Sequence, residues 1–76
     1  MIIKILGGGC QNCLLLEKNV MKAVAELQIG ADIIKITDFQ DILQYDIMAT
    51  PGLVINEKLV SSGKVLKVKE IISLIK

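Results

Sequence analysis

Hydrophobic and polar positions follow two different periods along the chain, which separates predicted strands from predicted helices. Residues 2–6 form a short apolar run, interrupted only by Lys4, and this pattern predicts a buried strand. From Gln11 to about Gln28 the apolar residues recur at helical spacing, which predicts a helix with one buried stripe. The stripe consists of Cys13, Leu16, Val20, Ala23, Val24 and Leu27. Gly30 is the predicted stop, because glycine readily adopts the left-handed conformation that ends many helices.

A second strand and a second helix follow the same logic. Residues 33–37 are rich in β-branched side chains and predict a strand. Asp38 offers a carboxylate that can cap a helix N-terminus, so a short helix is predicted from Phe39 to about Tyr45. Phe39 and Ile42 are predicted to face the interior.

Two short strands and a closing helix complete the pattern. Residues 52–55 and 58–62 flank Asn56-Glu57, a pair short enough for a hairpin in which Asn adopts a positive φ. The last helix is predicted from about Lys67, and its inward face contains Val68, Ile71, Ile72 and Ile75. The order β-α-β-α-β-β-α predicts one α/β domain over residues 1–76, with a four-stranded mixed sheet and helices on both faces.

Composition and charge exclude several classes of function. A chain of 76 residues is near the lower size limit for unaided folding, and its 53% of hydrophobic residues supply the dense core that it needs. The net charge is +1 and the nine basic residues are spread lysines, which argues against binding to nucleic acid or to a membrane surface. No stretch is long and apolar enough to predict a signal peptide or a membrane span, so the expected location is the cytoplasm.

The only two cysteines lie in the stretch GGGCQNC, residues 7–13. In a reducing compartment such a pair is more often catalytic or metal-binding than structural. Cys10 falls at the predicted helix start, where free N–H groups and the helix dipole lower the pKa of a thiol from its ordinary value of about 8.5. Cys13 lies almost one turn further and can resolve a mixed disulfide. The three preceding glycines either clear space for a substrate or provide positive φ angles.

The cysteine pair could also be a structural disulfide or a metal site, and these roles are weighed by the stabilisation or by the ligands that each requires. A disulfide that closes so short a loop restricts the unfolded chain by only about 2 kcal/mol, against about 4.7 for a 100-residue loop, so it is a weak structural staple. A closed zinc site needs four ligands, whereas the chain offers two Cys and no His. Two thiolates do suit Cu(I). A soft-metal carrier and a non-catalytic module whose thiols sense redox state therefore both stay open.

The two motifs together carry a resemblance to a known family. With Cys-x-x-Cys at a strand-to-helix junction and Thr50-Pro51 ahead of a hairpin, the chain resembles the thioredoxin fold in its minimal form. It looks most like the small thioredoxin/glutaredoxin-like proteins of archaea and bacteria of the redox-active disulfide protein 2 type. The likeness lies in ILGGGCQNC, ATPGLVINEKLVSSGKV and the terminal helix.

The resemblance implies a thiol-disulfide oxidoreductase. Cys10 is then the nucleophile and Cys13 the resolving thiol, and their disulfide is the only redox group, with no further cofactor. The implied partners are protein disulfides and an electron donor similar to thioredoxin reductase, and the implied state is a monomer. The resemblance also implies a cis peptide bond before Pro51, and a Thr50 backbone that pairs with an extended substrate peptide.

The chain departs from the thioredoxin pattern at several positions. Gly9 stands where thioredoxins have a Trp before the first cysteine, and the resemblance therefore implies that Gly9 lies on the side that contacts the substrate. Between the two cysteines, Gln11-Asn12 replaces the usual Gly-Pro. Lys4 stands where thioredoxins carry a buried acid. Gln11, Asn12 and Lys4 are thus predicted to tune the couple. The glutathione-binding signature of glutaredoxins is absent from residues 61–64, which favours dithiol chemistry over glutathione use.

Three side chains have two interpretations each. The stem of Lys4 either runs along the sheet with its ammonium in solvent, or brings a cation near the thiols and lowers their pKa. Tyr45 is either a core residue at a helix end or a contact at the rim of the site. Met48, in the loop before Thr50, is either a packing residue or part of an apolar rim for substrates.

Overall fold

The computed structural model describes residues 1–47 and 49–75, so the predicted rim residue Met48 lies outside the described residues. The strands are β1 Ile2–Leu6, β2 Asp32–Ile36, β3 Gly52–Ile55 and β4 Lys58–Ser62. The helices are α1 Gln11–Leu27, α2 Phe39–Leu43 and α3 Val68–Ile75. This order confirms the predicted β-α-β-α-β-β-α succession.

The strands form one mixed sheet with the order β2-β1-β3-β4. The central strand β1 runs parallel to β2 and antiparallel to β3. The crossover through α1 makes the first two strands parallel, as a βαβ unit requires, while the short hairpin makes β3 and β4 antiparallel. The predicted four-stranded mixed sheet is therefore confirmed.

Alternating side chains of β1 divide the core into two layers. Ile3 and Ile5 pack with Ile71 of α3 and with three buried residues of α1, namely Leu16, Val20 and Ala23. On the opposite face Leu6 packs with Val54 and with Ile42 of α2. Helices thus cover both faces of the sheet, and α2 lies on the face opposite the helix that carries the cysteines.

Helix α1 ends before the predicted stop. Gln28, not Gly30, takes the left-handed conformation, with φ 54°, and its N–H donates to the carbonyl of Ala25. The register of the next strand explains the difference, because Asp32 pairs with Ile2 and its N–H donates to the Met1 carbonyl. The chain must therefore leave the helix early enough to start β2 at Asp32.

The prediction that Phe39 faces the interior is wrong, since this side chain is 70% exposed. Ile42 is buried as predicted, but Tyr45 and Ile47 pack beside it in the small core layer under α2. A helix of five residues has only one turn to bury, and these later side chains already fill the space. Phe39 is left at the surface.

The hairpin turn is confirmed in detail. Asn56 and Glu57 have φ angles of 50° and 67°, as a two-residue turn with both central residues left-handed requires. The Asn56 side-chain oxygen also accepts a hydrogen bond of 3.1 Å from the Ile2 N–H, which ties the turn to β1. Among residues 1–47 and 49–75, no helix is long and apolar enough to cross a membrane.

Candidate active site

The cysteine pair and Thr50-Pro51 meet at one edge of the sheet. The glycine run and Cys10 follow Leu6 at the end of β1, and Pro51 directly precedes Gly52 at the start of β3. Leu6 and Gly52 are paired in the antiparallel register. The register of two central strands therefore brings together two motifs that are about half the chain apart.

Cys10 and Cys13 form a disulfide, with their Cα atoms 5.0 Å apart. Cys10 is the N-cap of α1, and its Sγ accepts a hydrogen bond of 3.1 Å from the backbone N–H of Cys13. The sulfur thus occupies the place of the oxygen of a capping Ser or Asp. Cys10 is exposed, whereas Cys13 is only 4% exposed. One sulfur of the pair therefore faces solvent and the other lies behind it.

The three glycines have three different surroundings. A Cβ atom at Gly7 would overlap the Cys13 Sγ and would lie 3.8 Å from the Pro51 Cα. Gly9 has a φ of 84°, a conformation that side chains rarely adopt. Gly8 has nothing within 4 Å of a Cβ position. The positive-φ interpretation thus applies to Gly9, while Gly7 makes room for the buried sulfur, a role that sequence analysis missed.

Thr50 and Pro51 form the other wall of the site. Their peptide bond is cis. Pro51 is buried and its carbonyl accepts a hydrogen bond of 2.8 Å from Gly63, while Thr50 is exposed. Gly63 itself has a φ of 73°, and a Cβ atom at this position would lie 3.2 Å from the Cβ of Ala49. The buried, hydrogen-bonded Pro51 thus fixes the position of the exposed Thr50 at the surface of the site.

Polar and small residues surround the exposed sulfur. Gln11 and Asn12 occupy the first turn of α1, and both are exposed, as is Gly9. The first turn contains no acidic residue that would oppose a thiolate. Solvent and substrate can therefore reach Cys10 from this side.

The structure does not bring Lys4 to the cysteines. Its ammonium donates a hydrogen bond of 2.9 Å to the Tyr45 hydroxyl and pairs with the Glu57 carboxylate. These contacts, with Glu57 first and Tyr45 second, raise the pKa of Lys4 above its ordinary value. Tyr45 packs in the core layer under α2, which is the core interpretation of that residue. Lys4 thus joins β1 to the hairpin turn and to the end of α2.

Lys4→Met is expected to lower Tm at neutral pH, because it removes the cation between Tyr45 and Glu57. The pKa of Lys4 is higher in the folded protein than its ordinary value of 10.5. The stabilisation by Lys4 is therefore fully present at pH values below 10.5, and it is lost as the pH rises through the folded-state pKa. The Tm difference from wild type should therefore narrow above pH 10.5. Thermal unfolding across pH checks this, with Lys22→Met on an exposed position of α1 as the control.

The same variant tests the thiol-tuning interpretation. From the position of its ammonium we expect reduced Lys4→Met to show the thiolate titration of the wild type. A raised thiol pKa in the variant would instead mean that Lys4 acts on the cysteines through the sheet.

Metal ligands are sparse in the described structure. Within residues 1–47 and 49–75, no group of three or more His, Cys, Asp or Glu is placed to hold a metal ion. The chain has only two cysteines, Cys10 and Cys13, and they form a disulfide. A soft-metal site that uses thiolate ligands would consequently need these two sulfurs in their reduced form.

Comparisons with known proteins agree with this geometry. A family model described as a thioredoxin domain matches residues 1–76. The chain is 41% identical over 70 residues to a thioredoxin of Methanocaldococcus jannaschii, covering 92% of this chain and 80% of the relative. It is 44% identical over 71 residues to a thioredoxin of Methanothermobacter thermautotrophicus, covering 93% of this chain and 92% of the relative.

A solved structure, "Structure of a malarial protein", shares the fold. It superposes with a TM-score of 0.71 at 15% identity, covering 97% of this chain and 91% of that one. The match over the whole chain and the identity to two archaeal thioredoxins agree with the Cys10–Cys13 pair at the start of α1. The chain therefore belongs to the thioredoxin domain family and is a thiol-disulfide oxidoreductase.

Proposed function

We propose that the chain exchanges its dithiol with the disulfides of proteins, with Cys10 as nucleophile and Cys13 as resolving thiol. The observation that carries the proposal is the asymmetry of the pair. Cys10 is exposed at the N-cap of α1, and Cys13 is buried behind it. A protein substrate can reach the first sulfur and not the second.

The reaction proceeds in two exchanges. The Cys10 thiolate attacks one sulfur of the substrate disulfide, the substrate S–S bond breaks, and the leaving thiolate takes a proton from water. Cys13, deprotonated, then attacks the Cys10 sulfur of the mixed disulfide. The second substrate thiol leaves, and the chain holds the Cys10–Cys13 disulfide. Two electrons have passed to the substrate, so a donor must reduce the pair before the next turnover.

The start of α1 favours the thiolate form of Cys10. The backbone N–H of Cys13 donates to the Cys10 Sγ, and hydrogen bonds to an anion are stronger than those to a neutral group. The positive end of the helix dipole acts in the same direction. Both effects lower the pKa of the Cys10 thiol and so raise the fraction present as thiolate, the form that attacks the substrate disulfide.

The proposed substrate-side surface consists of Gly9, Thr50 and Pro51. Gly9 presents no side chain to an approaching protein, and Thr50 is exposed beside the buried Pro51. An extended substrate peptide pairs with the Thr50 backbone, as a strand is added to a sheet edge. Gln11 and Asn12, on the first turn, set the potential of the couple.

The remaining parts of the proposal concern the cellular setting. The partners are protein disulfides and a donor similar to thioredoxin reductase, which returns the pair to the dithiol. The chain acts as a monomer in the cytoplasm, without nucleic acid or membrane as a partner. The net charge of +1, in which nine lysines are balanced by eight acidic residues, supports the latter point.

Reduction of insulin driven by dithiothreitol tests the proposal. The wild-type chain is expected to precipitate the insulin B chain well ahead of dithiothreitol alone. In parallel, the reduced chain is mixed with Cu(I) and desalted under argon. Turnover without retained copper supports the oxidoreductase acting on proteins. Stoichiometric copper together with no turnover above background would replace it by a soft-metal carrier.

A further inference from the structure

Three apolar and two basic side chains form one exposed face of α1, which we call the α1 face. Leu14, Leu15 and Met21 are 51%, 45% and 55% exposed, and Lys18 and Lys22 are exposed as well. Each of the five lies three, four or seven residues from others of the set, so they are neighbours along one side of the helix. The opposite side holds the buried residues Cys13, Leu16, Val20 and Ala23. A contiguous exposed group of this kind, unlike single exposed residues, marks a site where a partner binds.

The α1 face begins next to the exposed sulfur. Cys10 is the N-cap of α1, and its carbonyl accepts a hydrogen bond of 3.0 Å from the Leu14 N–H, so Leu14 lies one turn from Cys10. From Leu14 to Lys22 the face extends about 12 Å along the helix, at 1.5 Å per residue. Thr50 and Pro51 belong to the loop before β3 and are not part of it. A partner that covers the α1 face therefore reaches Cys10 without occupying the proposed substrate-side surface.

The charge of the α1 face favours an acidic partner. Glu17 pairs with Lys35 of β2 over 3.5 Å, and Glu26 lies one turn beyond Lys22, at the end of α1 away from Cys10. The exposed residues between 11 and 25 thus include Lys18 and Lys22 and no acid. In a symmetric dimer across this face, the lysines of the two copies would face each other, which is unfavourable. Carboxylates around an apolar patch are the complementary surface.

We propose that the α1 face docks the protein that donates electrons to the chain, and that the docking surface of this donor is apolar and bordered by Asp or Glu. A fixed set of side chains is complementary to one particular partner. Protein substrates of differing sequence are better served by backbone pairing at Thr50, which does not depend on their side chains. The inference rests on the proposed function and deepens it by naming the chemistry of the donor surface.

The donor reduces the chain in two exchanges. One thiolate of the donor dithiol attacks the Cys10 sulfur, the Cys10–Cys13 bond breaks, and Cys13 takes a proton. The second donor thiolate attacks the donor sulfur of the mixed disulfide and releases Cys10. Two electrons pass to the chain, and the donor keeps a disulfide. Docking raises the rate of the first exchange because it holds the donor thiolate close to the exposed sulfur.

Synthetic dithiol peptides are the probes of this docking. Three peptides share one Cys-x-x-Cys core and differ in a flanking segment, which carries Leu with Glu, Leu with Lys, or Ser with Glu. The rate constant for reduction of the oxidised chain is divided by that for hydroxyethyl disulfide, which removes differences in thiol reactivity. At low salt this ratio is expected to be about threefold to tenfold higher with Glu than with Lys, and the difference should shrink at high salt. Leu is expected to exceed Ser by about twofold to fivefold, because it buries apolar area.

Variants assign the two preferences to the α1 face. Lys18→Gln with Lys22→Gln should remove the preference for Glu, and Leu14→Gln should reduce the preference for Leu. Glutamine is a good helix former, so these exposed positions remain helical. The matched controls are exposed positions elsewhere, which should keep both preferences: Lys58→Gln with Lys69→Gln, which removes the same charge, and Leu74→Gln on α3.

The outcomes separate this inference from the proposed function. Equal ratios for the three peptides, with catalysis of insulin reduction by dithiothreitol intact, overturn the docking alone. If the wild-type chain also fails to accelerate insulin reduction, the proposed function is overturned as well. Preferences that survive in the α1 variants overturn the inference. So does a dimer in sedimentation that Leu14→Gln dissociates, because a second copy would then cover the α1 face.

Discussion

Cys10→Ser is expected to reduce insulin no faster than dithiothreitol alone, whereas Cys13→Ala stops the reaction one step later. Without the Cys10 sulfur no mixed disulfide can form. Without Cys13 the mixed disulfide forms at Cys10 and persists, because no second thiol lies behind it to release the substrate. The two variants therefore fail in different ways.

Both substitutions are compatible with the folded structure, so the loss of insulin reduction reflects the missing thiol and not unfolding. Serine is a good N-cap, and its oxygen can accept the hydrogen bond that the Cys10 Sγ accepts from Cys13. Alanine at Cys13 adds no buried hydroxyl to a position that is 4% exposed. Circular dichroism of each variant is the control for folding.

Mass spectrometry of each variant after a single addition of insulin, without dithiothreitol, distinguishes the steps. Cys13→Ala should carry insulin in disulfide linkage at Cys10, close to one insulin molecule per protein molecule. Cys10→Ser should carry none. A Cys10→Ser variant that accumulates the adduct would make Cys13 the attacking thiol and would reverse the assignment.

Gly7→Ala is expected to have the second largest effect, and Gly8→Ala next to none. A Cβ at Gly7 overlaps the Cys13 Sγ, so the sulfur or the chain beside Pro51 must shift. Overpacking of this kind typically costs about 1–3 kcal/mol, and each kcal/mol lowers Tm by about 4–8 °C in a domain of this size. Turnover falls too, because Cys13 moves from its position behind Cys10.

Gly8 is the matched control one residue away. Its Cβ position has nothing within 4 Å, and its φ lies outside the left-handed region. A substitution at such a surface position changes stability by about 0.5 kcal/mol or less. Thermal unfolding of the oxidised proteins and insulin turnover check both variants. Equal behaviour of Gly7→Ala and Gly8→Ala would show that Gly7 does not make room for the sulfur.

Local patterns predicted most of the fold. The hairpin was predictable because two apolar runs flank Asn56-Glu57, and α1 because its buried stripe recurs at helical spacing. The errors came from tertiary packing. Gln28 ends α1 because β2 must start in register with β1, and Phe39 is exposed because Tyr45 and Ile47 fill the layer beside Ile42. Neither fact leaves a signal in the neighbouring sequence.

Some residues of the site could likewise be predicted from the sequence, and others could not. Cys10, Cys13 and Thr50-Pro51 were predictable from spacing and from the resemblance, and the structure brings them to one edge of the sheet. The role of Gly7 was not, because it depends on the position of a sulfur six residues on. The contacts of Lys4 with Tyr45 and Glu57 join segments about 40 and 50 residues away, which no local pattern records.

The most direct test of the central claim, that Cys10 attacks and Cys13 resolves, is the alkylation of the reduced wild-type chain. Limiting iodoacetamide is applied across pH, and mass spectrometry assigns the label to each cysteine. Cys10 is expected to react at least about tenfold faster than Cys13. The pH at which its alkylation rate is half-maximal is expected to lie below the ordinary thiol pKa of about 8.5. Labelling of Cys13 first, or equal labelling with ordinary midpoints, would contradict the account.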